Sequence, residues 1–121
     1  GAGTSAFVGD VLQASFNKNT GIITRSIPTT DLVTHPNYYF IKSKPTLLIS
    51  FARSGNSPES VKAVELSNKT CNNIFHLVIT CNEEGRLAKM TASSENNFLF
   101  LLPPEANDKS LAMTGSFSSM L

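Results

Sequence analysis

Tryptophan is absent from this chain, and cysteine, histidine and tyrosine occur only twice each. Cys71 and Cys81 flank an apolar run too short to need a staple. Two reduced, mostly buried thiols are therefore expected, as in a reducing cytosol. Together with His35 and His76 they show no zinc spacing, so no structural metal is expected. Charge is also sparse: Asp, Glu, Lys and Arg make up 16% of the residues, and ten basic against nine acidic groups leave a formal net charge of +1. The broad positive field of a nucleic-acid or polybasic membrane binder is missing. No apolar run approaches the roughly 18 residues of a membrane span, and no charged-then-apolar stretch resembles a signal peptide. The expectation is a soluble, cytoplasmic protein with neither nucleic acid nor membrane as partner.

What the chain has instead is small neutral polar residues. Ser, Thr and Asn number 15, 11 and 11, close to a third of 121 residues, so neutral hydrogen-bonding groups outnumber charges. The length fits one domain of roughly 100 to 150 residues, or part of one. The ends favour a part. Gly1-Ala2-Gly3-Thr4-Ser5 is a glycine turn with no strand before it, and Leu111 to Leu121 reads as a loop entering an amphipathic helix that stops short.

Between those ends strand and helix signals alternate. Phe7, Val8, Val11, Leu12 and Phe16 predict a helix from Ser5 to about Asn17, with Ser5 capping its first turn and Asn19-Thr20-Gly21 ending it. The β-branched stretch Ile22 to Ile27, bounded by Gly21 and Pro28, predicts a short strand followed by a Pro-Thr-Thr-Asp loop. Asn37 to Lys42 is ambiguous, with a short helix as one reading. Pro45 to Ala52 has the continuous apolar pattern of a parallel strand buried on both faces. In the next turn, Arg53 to Ser60, Ser57 is the natural N-cap, Pro58 takes the first helical position and Glu59 complements the helix dipole. That helix runs through Val61, Val64 and Leu66 to about Lys69. A buried strand over 74–80, a loop over 81–85, a weak helix to about Met90 and a last strand over 97–102 complete the order. Such alternation predicts an open α/β sheet with helices on both faces.

In sheets of this kind ligands bind at the carboxyl ends of the strands. Three turns there combine glycine with hydroxyls: Gly1 to Ser5, Ser54-Gly55-Asn56-Ser57, and Thr114-Gly115-Ser116. Small residues let a backbone come close, hydroxyls donate, and a helix N-terminus adds free N–H groups; together these are the chemistry of a phosphate site with little formal charge. The plainer alternative is that each turn is an ordinary cap. Gly1-Ala2-Gly3-Thr4-Ser5-Ala6 also matches the G-x-G-x-x-A dinucleotide fingerprint. The acidic ribose partner that should follow about 20 residues later is missing, since that segment carries Arg25 and Ser26. No Gly-Lys-Ser/Thr of a Walker loop occurs either, and no cofactor is expected.

Gly3-Thr4-Ser5, Ser54-Gly55-Asn56-Ser57-Pro58-Glu59-Ser60 after a buried strand, and Glu105 followed by Ala112-Met113-Thr114 resemble the sugar isomerase (SIS) domain family. The turns Gly-Ala-Gly-Thr-Ser-Ala-Phe, Ser-Phe-Ala-Arg-Ser-Gly-Asn-Ser-Pro-Glu-Ser and Ile-Thr-Cys-Asn resemble its bacterial tagatose-6-phosphate ketose/aldose isomerase branch, whose members are also described as galactosamine-6-phosphate deaminases. The resemblance covers nearly the whole chain and implies a three-layer, flavodoxin-like fold with a mostly parallel sheet, truncated at both ends. Residues 1–121 would be part of a phosphosugar-binding domain.

By that resemblance Ser54, Gly55 and Ser57 hold the phosphate, Ser5 reaches it from the first loop, and Gly3, Thr4, Asn56 and Thr114 lie against the sugar. Glucosamine-6-phosphate synthase relatives carry Ser-Gln-Ser-Gly at the central turn, and here Ala52 and Arg53 replace the first Ser and the Gln. Arg53 either binds the phosphate bidentately or is an exposed loop arginine. Isomerisation or deamination needs a carboxylate and a His to open the ring and move a proton between C1 and C2. Glu59 reads as a dipole partner, His76 as a packed core residue and His35 as a loop residue. Glu105, just past the last strand, is the remaining local candidate. The resemblance implies that the catalytic Glu and His come from a later segment or a neighbouring subunit, hence a homo-oligomer with a shared active site. A phosphosugar-sensing domain of a regulator, without catalysis, is the alternative.

Overall fold

The computed structural model describes residues 3–103. Five helices, α1 (Thr4–Thr20), α2 (Thr29–Thr34), α3 (Pro36–Tyr39), α4 (Pro58–Thr70) and α5 (Arg86–Thr91), accompany three strands, β1 (Thr46–Ala52), β2 (Ile74–Thr80) and β3 (Asn97–Leu101). The strands are parallel in the order β1-β2-β3. Thr46 stands opposite Ile74 and Ala52 opposite Thr80, while Thr80 in turn stands opposite Leu101.

Side-chain alternation divides the sheet into two working faces. Leu48, Ala52 and Val78 pack with Val61 and Val64 of α4 and Leu87 and Met90 of α5. Ile49, Phe51 and Ile79 pack with Val8 and Leu12 of α1. The sheet grows in one direction through two crossovers, and the usual right-handed connection therefore sets α4 and α5 on the same face. The expected α/β/α layering is thus present. α1 leaves part of that face uncovered: Leu47, Phe98 and Phe100 remain 55%, 60% and 58% exposed. β1 is accordingly not buried on both faces over its whole length. A third cluster, with Leu32, Phe40, Ala63 and Cys71, packs α2 and the end of α3 against α4.

Four expectations about local structure need correction. Ile22 to Ile27 is not a strand. Its backbone is bonded to α1 side chains instead of a neighbouring strand. Thr24 N–H donates to Asn17 Oδ1 at 2.6 Å and Thr24 C=O accepts from Asn17 Nδ2 at 3.2 Å, while Ser26 N–H donates to Gln13 Oε1. Ile22 and Ile23 point outward, 67% and 88% exposed, so the β-branched residues here belong to a strap laid against α1 rather than to the sheet. The stretch after Pro28 is a helix, α2, rather than a loop, because burial of Leu32 against the α4 cluster holds six residues that are too few to be helical alone. The short helix within the ambiguous 37–42 stretch is α3, displaced to Pro36–Tyr39. Ser5 does not cap α1: Gly3 occupies the N-cap with φ 59°, and Ser5 lies inside the first turn.

The expected order of β1, α4, β2, α5 and β3 is otherwise found, with Ser57 at the α4 N-cap, Pro58 at its first position and Glu59 in its first turn. Cys71 and Cys81 are not joined in a disulfide, the first being buried and the second half-buried. No helix among the described residues is long and apolar enough to cross a membrane.

Asn17 makes the strap a testable feature. In the full-length protein Asn17→Ala should remove both bonds to Thr24, lower stability by about 1 kcal/mol and speed exchange of the Thr24 amide; hydrogen exchange read by NMR or mass spectrometry checks this.

Candidate phosphate-binding site

β1 and β2 are adjacent and parallel, so the loops that leave them emerge side by side at the carboxyl edge of the sheet. Past the last rung, Ala52 opposite Thr80, the ladder ends and the carbonyls of the β1–α4 loop need other partners. The β2–α5 segment provides them in sequence. Arg53 C=O accepts from Thr80 Oγ1 at 3.2 Å, Ser54 C=O from Asn82 Nδ2 at 3.0 Å, and Gly55 C=O from Leu87 N–H at 3.0 Å. Arg86 N–H adds a bond to Asn56 Oδ1 at 3.0 Å.

A trans peptide points its C=O and the following N–H in opposite directions. Carbonyls 53, 54 and 55 all face β2–α5, so the N–H groups of Ser54, Gly55 and Asn56 face the other way. Asn56 N–H is closed onto Ser54 Oγ at 3.3 Å. The N–H groups of Ser54 and Gly55 have no acceptor among the described residues. Behind them α4 starts with its first-turn donors free of backbone acceptors, Val61 N–H being the first to bond back, to Ser57 C=O at 3.1 Å. Ser57 does not cap the helix with its side chain: its hydroxyl bonds to Ser60 Oγ at 2.7 Å. The result is a set of N–H and O–H donors beside the positive end of a 13-residue helix.

Two glycines allow this arrangement for different reasons. Gly55 adopts φ 68°, a left-handed conformation, while a Cβ there would meet only ordinary contacts with Thr80, Gly85 and Leu87. Gly85 has ordinary backbone angles, φ −66° and ψ 154°. A Cβ on Gly85 would instead run into the Ser54 carbonyl oxygen and crowd Gly55 Cα at 3.3 Å. The first glycine is there for its backbone conformation, the second for the close approach of two loops.

The SIS domain family model matches the chain over residues 1–121. The chain belongs to the SIS domain family. It is 50% identical over 121 residues to the D-galactosamine-6-phosphate deaminase AgaS of Escherichia coli, covering 100% of this chain and 32% of that protein. The AgaS deaminase of Shewanella sp. (strain ANA-3) is 49% identical over 123 residues. Among solved structures, the tagatose-6-phosphate ketose/aldose isomerase of Escherichia coli superposes with TM-score 0.95 at 50% identity, over 98% of this chain and 32% of that one. A glucosamine-6-phosphate deaminase of Thermotoga maritima, at 23% identity and TM-score 0.71, shares the fold. This chain therefore spans about a third of the length of the curated relatives it matches.

In this SIS chain Arg53, Ser54, Gly55, Asn56 and Ser57 form one loop, with Gly55 buried, Asn56 exposed and the other three half-buried. Arg53 is therefore not a freely exposed arginine. Val8, one turn into α1, packs with Phe51 and Leu102, which sets the start of α1, with Gly3 and half-buried Ser5, toward the same edge of the sheet. Glu105 and Thr114 lie outside the described residues. Thr80, Asn82, Gly85 and Arg86 were not anticipated as site residues, although the topology that singled out the β1–α4 loop applies equally to its neighbour.

The two histidines are elsewhere. His35 is exposed and stacks on Tyr38 with ring centroids 5.3 Å apart. His76 is a core residue as expected, 2% exposed, with Nε2 at 2.7 Å from Asn68 Oδ1 and Nδ1 buried without a partner. It borders a cavity of about 330 Å³ that also touches Asn68, Asn72, Asn96 and Asn97, at the amino edge of the strands and away from the loops. Burial lowers its pKa from the ordinary 6.5 because the imidazolium would lose its hydration.

Two predictions follow from this geometry. Gly85→Ala should cost about 1 to 3 kcal/mol through the clash with the Ser54 carbonyl, measured by chemical denaturation of the full-length protein. His76 binds a proton more readily unfolded than folded, so its contribution to stability is lost as pH falls below 6.5 toward its lowered folded value. The difference in stability between the native protein and His76→Gln should therefore change over that window and stay flat above it, as read from denaturation midpoints across pH.

Proposed function

We propose that residues 1–121 are the phosphate-binding part of a cytoplasmic, bacterial-type phosphosugar isomerase that acts on an amino-sugar or ketose 6-phosphate and isomerises or deaminates it. The observation that carries this reading is the pair of N–H groups at Ser54 and Gly55 without an acceptor among the described residues, set beside the α4 N-terminus in a loop rich in hydroxyls. Half-identity to proteins named as a galactosamine-6-phosphate deaminase and a tagatose-6-phosphate isomerase supports the substrate class.

In this reading the phosphate oxygens accept from Ser54 N–H, Gly55 N–H and the hydroxyls of Ser54 and Ser57. The α4 dipole adds to the attraction. Arg53 supplies the nearby cation and Ser5 reaches in from α1. Gly3, Thr4, Asn56 and Thr114 border the sugar. The cradle fixes one end of the substrate, so that C1 and C2 are presented at a constant distance to an acid/base pair. That pair belongs to other parts of the full-length protein or to a neighbouring subunit of a homo-oligomer, with Glu105 as a weaker candidate within this chain. Neither nucleic acid nor membrane is a partner. The named relatives favour catalysis over phosphosugar sensing alone.

A scan of sugar 6-phosphates by thermal shift on the full-length protein tests the binding, because a ligand selective for the folded state raises Tm. Parallel assays for released ammonia and for ketose formation separate deamination from isomerisation. Ser54→Ala and Ser57→Ala should each weaken phosphosugar binding about tenfold, the loss of one hydrogen bond to a charged group. A shift with NAD and none with any phosphosugar would overturn the proposal.

A further inference from the structure

Thr80 is fully buried, at 0% exposure, and so cannot touch a ligand. Its hydroxyl nevertheless stands at the junction of the two loops. It donates to Arg53 C=O at 3.2 Å and accepts from Asn82 N–H at 3.3 Å. Asn82 in turn reaches Ser54 C=O with Nδ2 at 3.0 Å, while its Oδ1 accepts Glu84 N–H at 3.1 Å. One side-chain hydroxyl and one side-chain amide therefore hold two successive peptide groups, 53–54 and 54–55. These are the peptides whose opposite ends are Ser54 N–H and Gly55 N–H.

We propose that Thr80 and Asn82 are positioning residues that aim the Ser54 and Gly55 N–H groups at the bound anion. The inference rests on the phosphate-cradle reading above and extends it to residues that do not touch the phosphate. Without the two contacts neither carbonyl is held, and the 54–55 peptide in particular can rotate at little cost, since glycine at 55 tolerates a wide range of backbone angles. A rotated peptide would present a carbonyl oxygen to the phosphate in place of a donor. Preorganisation of donors is what makes such sites effective, because no reorientation is left for the moment of binding.

Thr80 separates this role from simple packing. Thr80→Val keeps the volume and the β-branch and removes the hydroxyl; Thr80→Ser keeps the hydroxyl and removes the methyl. In the full-length enzyme, affinity for inorganic phosphate and KM for the sugar phosphate are measured for both, together with kcat. Positioning predicts about tenfold weaker phosphate binding and higher KM in Thr80→Val, with kcat changed less, and near-native values in Thr80→Ser. The reverse pattern, with Ser impaired and Val native, would make Thr80 a packing residue and overturn the inference. Should Thr80→Val fail to fold, the half-buried Asn82→Ala carries the test, since it removes the donor to Ser54 C=O and should weaken phosphate binding to a similar extent. Native phosphate affinity in that variant also overturns the inference. Ser54→Ala and Ser57→Ala run alongside keep the two readings apart. If they lose phosphate while Thr80→Val and Asn82→Ala bind normally, only the positioning role fails. If all four bind normally, the cradle itself is misplaced.

Discussion

The structure at the carboxyl edge depends on one requirement: the backbone carbonyls that leave a parallel sheet must find donors once the ladder stops. In this chain the ladder between β1 and β2 stops at Ala52 and Thr80. The carbonyls of residues 53 to 55 are then taken up by Thr80, Asn82 and Leu87. Satisfying the carbonyls on one side leaves the N–H groups on the other. The donors of the candidate site are thus a by-product of meeting the hydrogen-bond requirement of two neighbouring loops. The same crossing explains why Gly85 must be glycine, since a Cβ there would run into the Ser54 carbonyl oxygen.

Where sequence reading succeeded, the signal was local and redundant. β1 and β2 carry apolar runs of strand length, and α4 has its cap, its proline and its first-turn carboxylate in order over Ser57-Pro58-Glu59. Where it failed, the deciding contacts were distant. Ile22 to Ile27 has strand composition, but its backbone bonds run to Gln13 and Asn17 on the preceding helix. α2 depends on Leu32 meeting a cluster that includes Ala63 and Cys71, more than thirty positions further along. Ser5 is a good capping residue placed two positions too late, because Gly3 with its positive φ turns the chain first.

The site divides in the same way. The hydroxyls of the β1–α4 loop could be named from sequence because glycine, serine and a helix start coincide within five residues. Thr80 and Asn82 could not, because each acts through a carbonyl 27 or 28 positions away. In sequence Thr80 is one more β-branched residue at the end of a buried strand. Only the register of β1 against β2 brings its hydroxyl to Arg53.

If the proposed cradle is made of backbone N–H groups, it also accounts for the departures of this chain from the Ser-Gln-Ser-Gly pattern that its resemblance to glucosamine-6-phosphate synthases implies. An N–H is supplied by every residue but proline, so Ala52 and Arg53 can replace Ser and Gln with two loop donors unchanged. The positions under tighter constraint are those that set peptide direction: Gly55 for its φ of 68°, Gly85 for the space it leaves, and Thr80 and Asn82 for the carbonyls they hold. Two of these four have no polar side chain at all, and one of the others is fully buried. This also gives meaning to a composition with 37 Ser, Thr and Asn residues and few charges. A site that grips an anion through aligned dipoles needs its donors aimed more than it needs a large net charge, and small hydroxyl and amide side chains are what aim them.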